Sequence, residues 1–250
     1  IVITLIDVSR LKQAERALEL RNSQLAKVNA SLEQFTYIVS HDLRAPLRTI
    51  LNSAKWIEED LGTTASEEVR GHCSRLMVYS KRLTDMLDDL MKYARLENPA
   101  EAAETIDLQQ LLKTIGENID GDGRLVLSCE GRIAPFGCHR APFTQVFQNL
   151  IDNALKYSDK PEVRVTVTAE DLGQHFRFTV ADDGPGIPRR HHDKIFLPFR
   201  KLQHKDDKPG TGMGLALVKK AIEDHGGAIE VQSEPEKRPG AAFRFTWAKI

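Results

Sequence analysis

Phe35-Thr36-Tyr37-Ile38-Val39-Ser40-His41-Asp42-Leu43-Arg44-Ala45-Pro46-Leu47-Arg48 sets a histidine, an acid and a proline inside a long helical pattern. Pro46 has no N–H to bond back to the carbonyl of Asp42, and its ring crowds that carbonyl, so a kink is expected beside His41. A neutral imidazole with a carboxylate one residue away can act as a nucleophile, because a neighbour that fixes the tautomer frees the other ring nitrogen to attack. Taken alone, the same pair reads more readily as a surface histidine on a coiled coil.

Upstream of this stretch, Leu11, Leu18, Leu25 and Leu32 recur every seven residues, and Ala14, Val28 and Phe35 follow three later, with Arg21 breaking the seam once. Such an a/d stripe predicts a parallel dimeric coiled coil. Before it, Ile1-Val2-Ile3-Thr4-Leu5-Ile6-Asp7-Val8-Ser9 is a β-branched run that reads as the last strand of a domain cut off upstream. Downstream, the helical pattern continues to Trp56-Ile57 and is broken at Gly62-Thr63-Thr64, after which Ser66-Glu67-Glu68 caps a second helix. There Val69, Leu76, Leu83 and Leu90 again repeat by seven, with Cys73, Ser80, Leu87 and Ala94 beside them. Two helices joined by a short loop make a hairpin, and two hairpins make a four-helix bundle in a homodimer.

Asn98 to Ala103 stops the periodicity and reads as a linker. Beyond it the pattern becomes α+β: helices near Leu108–Ile119, Pro142–Tyr157 and Leu215–His225, and strands near Arg124–Cys129, Ile133–Cys138, Val163–Val167, Phe176–Val180, Ala228–Gln232 and Ala242–Trp247. Strands and helices segregate, which predicts a sandwich of one mixed sheet against helices rather than a Rossmann sheet. The 250 residues, 41% of them hydrophobic, are enough for about two cores. A net charge of −1 with both signs interspersed gives no basic surface for nucleic acid. Cys73, Cys129 and Cys138 lack metal-ligand spacing and read as reduced core thiols. No run approaches the ~18 apolar residues of a membrane span. The chain therefore reads as a cytoplasmic fragment, with membrane attachment of the parent left open.

Asn149 and Asn153, four apart, share a helix face, with Lys156 and Tyr157 one turn on. Amide oxygens are hard ligands and an ammonium neutralises phosphate, so the face fits a magnesium–phosphate cluster, although paired asparagines are also ordinary surface residues. Asp182-Asp183-Gly184-Pro185-Gly186 ends an alternating strand, where a fixed carboxylate can accept a hydrogen bond from an exocyclic amine and glycines admit a flat base. A tight turn explains the same residues equally well. Gly210-Thr211-Gly212-Met213-Gly214-Leu215 opens a helix, whose free N–H groups favour anionic oxygens.

In this order, and with Phe196-Leu197-Pro198-Phe199 between them, these boxes resemble the ATP-binding domain shared by sensor histidine kinases, gyrase and heat-shock ATPases. With His41-Asp42-Leu43-Arg44-Ala45-Pro46 upstream, residues 35 to 250 resemble a two-component sensor histidine kinase, more loosely one of the phytochrome-like or PAS-linked kind. Asp7-Val8-Ser9 is similar to the end of a PAS sensor domain. The resemblance implies a PAS-like remnant at 1–9, a coiled coil at 10–34, a dimerisation and phosphotransfer domain at 35–98 and a catalytic ATP-binding domain at 104–250. It implies that His41 is phosphorylated, with Asp42 as base or orienter, and that Asn149 and Asn153 hold Mg2+. It gives Lys156 and Tyr157 to the phosphates and Asp182 to adenine, with Gly184 and Gly186 beside it. Gly210, Thr211, Gly212, Gly214 and Leu215 border the phosphates, and Arg200 or Lys201 touches the γ-phosphate. The lid runs from about Ile187 to Thr211, packed by Phe196 and Phe199, and its His191, His192, His204, Asp206 and Asp207 read as a solvated loop rather than a metal site. The implied partners are a second copy, an upstream sensor domain and a response-regulator receiver domain. The alternatives are an ATP-binding dimeric scaffold without phosphotransfer, and a gyrase-like clamp, for which neither hydrolytic base nor transducer domain is found.

Overall fold

A computed structural model describes residues 9–62, 66–95, 102–131, 133–201, 210–236 and 238–250. The first strand expected, the 98–101 part of the linker and positions 202–209, with His204, Asp206 and Asp207, lie outside these. Helix α1 (Ser9–Leu61) runs 53 residues with Pro46 inside it. Helix α2 (Glu67–Arg95) folds back along it, opened by the Ser66 hydroxyl accepting from the Val69 amide at 3.3 Å, with Glu67 and Glu68 in the first turn.

The hairpin buries little: Ala54, Cys73, Ser40 and Ser80 are its small buried residues, with Met91 near the end of α2. The other heptad line, Val69, Leu76 and Leu83, stays exposed, and so do Leu43, Ile50 and Ile57 on α1. Two apolar rows at the same seven-residue spacing are therefore left uncovered by the described residues. Of the upstream seam, Leu18 and Val28 are exposed, while the side chains of Leu11, Leu25 and Leu32 lie outside the described set.

The second body is built from β1 (Glu104–Ile106), α3 (Leu108–Ile119), β2 (Leu125–Glu130), β3 (Phe136–Cys138), α4 (Arg140–Tyr157), β4 (Val163–Asp171), β5 (His175–Asp182), α5 (Gly214–Asp224), β6 (Ile229–Glu234) and β7 (Arg238–Ala248). Five strands in the order β2-β4-β5-β7-β6 form a mixed sheet, parallel only between β2 and β4. Alternation decides its buried face: Val163, Val165 and Val167 are fully buried while Arg164 between them is exposed. Phe143 and Phe147 of α4 meet Phe178, Phe245 and Trp247 of the sheet, with ring centroids 5.1 to 5.8 Å apart, mostly edge to face.

The single sheet expected needs one correction, because β1 and β3 form a separate two-stranded antiparallel ribbon, Ile106 opposite Phe136. Three residues are too few to carry a periodic signal, and β3 begins only after Pro135, which has no N–H for a ladder. Helix α4 starts two residues before Pro142, where a missing N–H costs nothing. Cys138 is fully buried, its thiol pushed up to about 12 by that burial.

Candidate functional site

On α1, Asp42 Oδ1 lies 3.1 Å from His41 Nδ1, with both side chains largely exposed, at 68% and 72%. In the tautomer with its proton on Nδ1, the ring donates to that carboxylate and carries its lone pair on Nε2. One turn on, Arg44 donates to Asp88 Oδ1 of α2 at 2.7 Å, fixing the segment after the histidine to the second helix.

In the second body, α4 meets the start of α5 and the loop before it. Asn149 Nδ2 donates to the Gln145 carbonyl at 2.9 Å, which turns its Oδ1 toward the first residue of α5. A methyl group on Gly214 would meet that Oδ1 at 2.9 Å and Asn153 Nδ2 at 3.9 Å, so only glycine lets the N-terminus of α5 sit against both amides. A Cβ on Gly210 would overlap Lys156 Nζ. Burial holds the Lys156 ammonium below its usual range, with Asp152 and Asp89 opposing, and burial pushes the Tyr157 phenol up, aided by Asp152.

At the end of β5, Asp182 Oδ1 accepts from the Gly184 amide at 2.8 Å and the Ala241 amide at 3.3 Å. Burial raises this carboxyl above its usual range against the pull of those amides. Behind it Ser233, itself buried, donates to the Gly240 carbonyl at 2.7 Å and accepts from the Ile187 amide at 2.8 Å. Gly240, at φ +100°, has its Cα against the Asp182 carbonyl, a position no Cβ could share. Sequence reading missed Ser233, Gly240 and Ala241; the Pro239-Gly240 pair inside a strand pattern was the available signal.

The lid residues divide. Phe196 packs edge-on against Phe243 at 6.5 Å, but Phe199 is exposed, at φ +60°, so the expected packing by both rings holds only for Phe196. The Phe199–Arg200 backbone lies against Gly212, which brings Arg200 to the glycine box through its main chain. Thr211 does something the sequence did not foretell. Its hydroxyl donates to Asp89 Oδ2 of α2 at 2.6 Å and accepts from the Met213 amide at 3.2 Å, and beside it Lys220 of α5 lies over the Tyr93 ring at 5.7 Å. The glycine box thus touches the helical hairpin directly.

Two family models match the chain. Residues 31–99 match the His Kinase A (phospho-acceptor) domain, and residues 138–249 match the histidine kinase-, DNA gyrase B- and HSP90-like ATPase. This chain belongs to the two-component sensor histidine kinases. Among this chain's relatives, cyanobacterial phytochrome B of Nostoc sp. is 32% identical over 242 residues, which cover 94% of this chain and 32% of the relative. Phytochrome-like protein Cph1 of Synechocystis sp. is 29% identical over 240 residues, 94% of this chain and 31% of that protein. The chain thus spans about a third of the length of these relatives. Among solved structures, full-length ShkA in complex with AMPPNP superposes with a TM-score of 0.64 at 26% identity, over 87% of this chain and 46% of that one. The histidine kinase AdeS of Acinetobacter baumannii, at 24% identity and a TM-score of 0.58, shares the fold over 84% of this chain and 98% of its own. The helical hairpin followed by an α+β sandwich is the fold expected from sequence. No described helix is long and apolar enough to cross a membrane.

Proposed function

We propose that this chain transfers the γ-phosphoryl group of ATP to His41 and passes it on to an aspartate of a response-regulator receiver domain. The observation that carries the reading is the pairing, in one chain, of an exposed His41–Asp42 couple with an asparagine face, a carboxylate at a strand end and a glycine box at a helix N-terminus. Asp42 holds the Nδ1 proton, Nε2 attacks the γ-phosphorus, and the N–P bond forms as the bond to the bridging oxygen breaks and ADP leaves. Positive charge developing on the ring is met by the Asp42 carboxylate. Asp182 Oδ2, its fellow oxygen already engaged by two amides, accepts from the adenine amine, and Lys156 meets phosphate.

Asn149 and Asn153 fit Mg2+: one amide nitrogen of Asn149 is engaged with the backbone, its hard oxygen is turned inward, and Gly214 keeps the space beside it open. The ion, when bound, neutralises phosphate charge. The exposed rows Leu43-Ile50-Ile57 and Val69-Leu76-Leu83 support a homodimer, in which a second hairpin completes a four-helix bundle. On this reading residues 35–98 form the dimerisation and phosphotransfer domain, 104–250 the catalytic domain, and 10–34 the coiled coil through which an upstream sensor acts in the cytoplasm. Incubation with γ-labelled ATP tests the proposal: the protein acquires an acid-labile, base-stable label that His41→Gln lacks. Label retained in His41→Gln would overturn it.

A further inference from the structure

Where α4 ends, the chain turns through Ser158 and Lys160 toward β4. Arg124 at the entry to β2 grips this turn by donating to the carbonyls of Ser158 at 3.2 Å and Lys160 at 2.6 Å. The turn is further closed by the Lys160 amide on the Ser158 hydroxyl at 3.3 Å. From this fixed base, Lys160 Nζ reaches across to the end of β5 and donates to Asp183 twice, to its carbonyl at 2.6 Å and to Oδ2 at 2.7 Å. Asp183 Oδ1 accepts from the Arg164 amide at 3.0 Å, and the Asp183 amide donates to the Arg164 carbonyl at 3.2 Å. All four polar groups of Asp183 are thereby engaged, although the residue makes no further ladder pair.

The carbonyl that Lys160 grips belongs to the same peptide plane as the Gly184 N–H. A peptide bond is planar, so fixing its oxygen fixes the direction of its hydrogen. That hydrogen is the closer of the two that hold Asp182 Oδ1, at 2.8 Å against 3.3 Å for Ala241. Glycine at 184 offers no side chain to restrain the plane from the other end. We propose that Lys160 is a positioning residue for adenine recognition: it locks the Asp183–Gly184 peptide, whose N–H holds the Asp182 carboxylate toward the exocyclic amine of the base. This rests on Asp182 being the adenine acceptor, as argued above.

Lys160 is half-exposed, so its replacement spares the fold. The test compares, on the full chain by calorimetry, the Kd of ATP with that of purine ribonucleoside triphosphate, which lacks the 6-amino group. Wild type prefers ATP. Lys160→Met weakens ATP by about three- to tenfold, the worth of one ordinary hydrogen bond, and leaves the analogue unchanged, so the preference narrows. Lys160→Arg, which keeps a donor and the charge, recovers most of it. Equal weakening of both nucleotides would mean that Lys160 only attracts phosphate by its charge, and an unchanged preference would mean that the peptide is held without it; either overturns the proposal. Asp182→Ala separates the two readings. If it keeps the wild-type preference for ATP, the adenine assignment fails and Lys160 falls with it; if it loses the preference while Lys160→Met keeps it, only the role of Lys160 is wrong.

Discussion

Replacing Ser233 by alanine removes one hydroxyl and breaks two hydrogen bonds at once. The hydroxyl donates to the Gly240 carbonyl and accepts from the Ile187 amide, at 2.7 and 2.8 Å, and so ties the Asp182–Gly186 turn to the β6–β7 hairpin. Gly240 is buried and Ile187 half-buried, so water can reach the amide more readily than the carbonyl. A buried polar group left without a partner costs ~1–3 kcal/mol, which puts Ser233→Ala at about 2–4 kcal/mol for the pair. The chain has two tryptophans, Trp56 exposed on α1 and Trp247 fully buried in the sheet. In a Trp56→Phe background, urea unfolding followed by emission therefore reports on the catalytic body alone, and the loss should appear as a lower midpoint with an unchanged slope. The Kd for ATP should rise as well, because the Gly184–Ile187 turn is released beside Asp182. A loss below ~0.5 kcal/mol, the range of ordinary surface changes, would refute the argument that this hydroxyl holds both groups together.

Burial raises the Asp182 carboxyl. In the interval from its ordinary value of 3.8 up to the raised one, the folded state holds a proton that the unfolded state has lost, so stability falls as pH rises through that window. Asp182→Asn, which keeps an acceptor for both amides, removes this loss: at neutral pH it should be at least as stable as wild type in urea titrations, yet fail to bind ATP. Asn153→Ala should abolish autophosphorylation with the dimer intact by light scattering, and His41→Gln should bind ATP with wild-type affinity, since each residue lies in a different body. Ala45, one turn after His41 and exposed, offers no donor or acceptor to a hydrolytic water. Loss of phosphate from a phosphorylated receiver domain, followed with ADP present, should therefore stay near the spontaneous rate and quicken only in Ala45→Thr.

What the sequence made legible was local. Asn149 and Asn153 declare a shared face by their spacing, Gly210 to Gly214 announce a helix start, and Asp182 stands where an alternating strand meets glycines. The alternation of Val163, Val165 and Val167 named the buried face of β4 without ambiguity. What escaped was supplied from a distance. Ala241 and Ser233 support the Asp182 turn from more than forty residues away and look like ordinary strand positions, and Lys160 reads as one more charge in a polar loop. The Thr211–Asp89 bond spans 122 residues between two bodies, and no periodicity encodes such a meeting.

Asp88 and Asp89 are consecutive on α2 yet answer to different masters: one holds Arg44 beside the histidine, the other holds Thr211 in the glycine box. Neighbours on a helix project ~100° apart around a common axis. With side-chain tips roughly 5–6 Å from that axis, turning α2 by about 10° sweeps each carboxylate ~1 Å, enough to lengthen a 2.6 Å bond past useful range. The two carboxylates are pegs on one axle, so the helix cannot be twisted to loosen its grip on the glycine box without shifting the peg that steadies the residues after His41. A rotation of α2 would be felt at the segment after His41 and at the glycine box together.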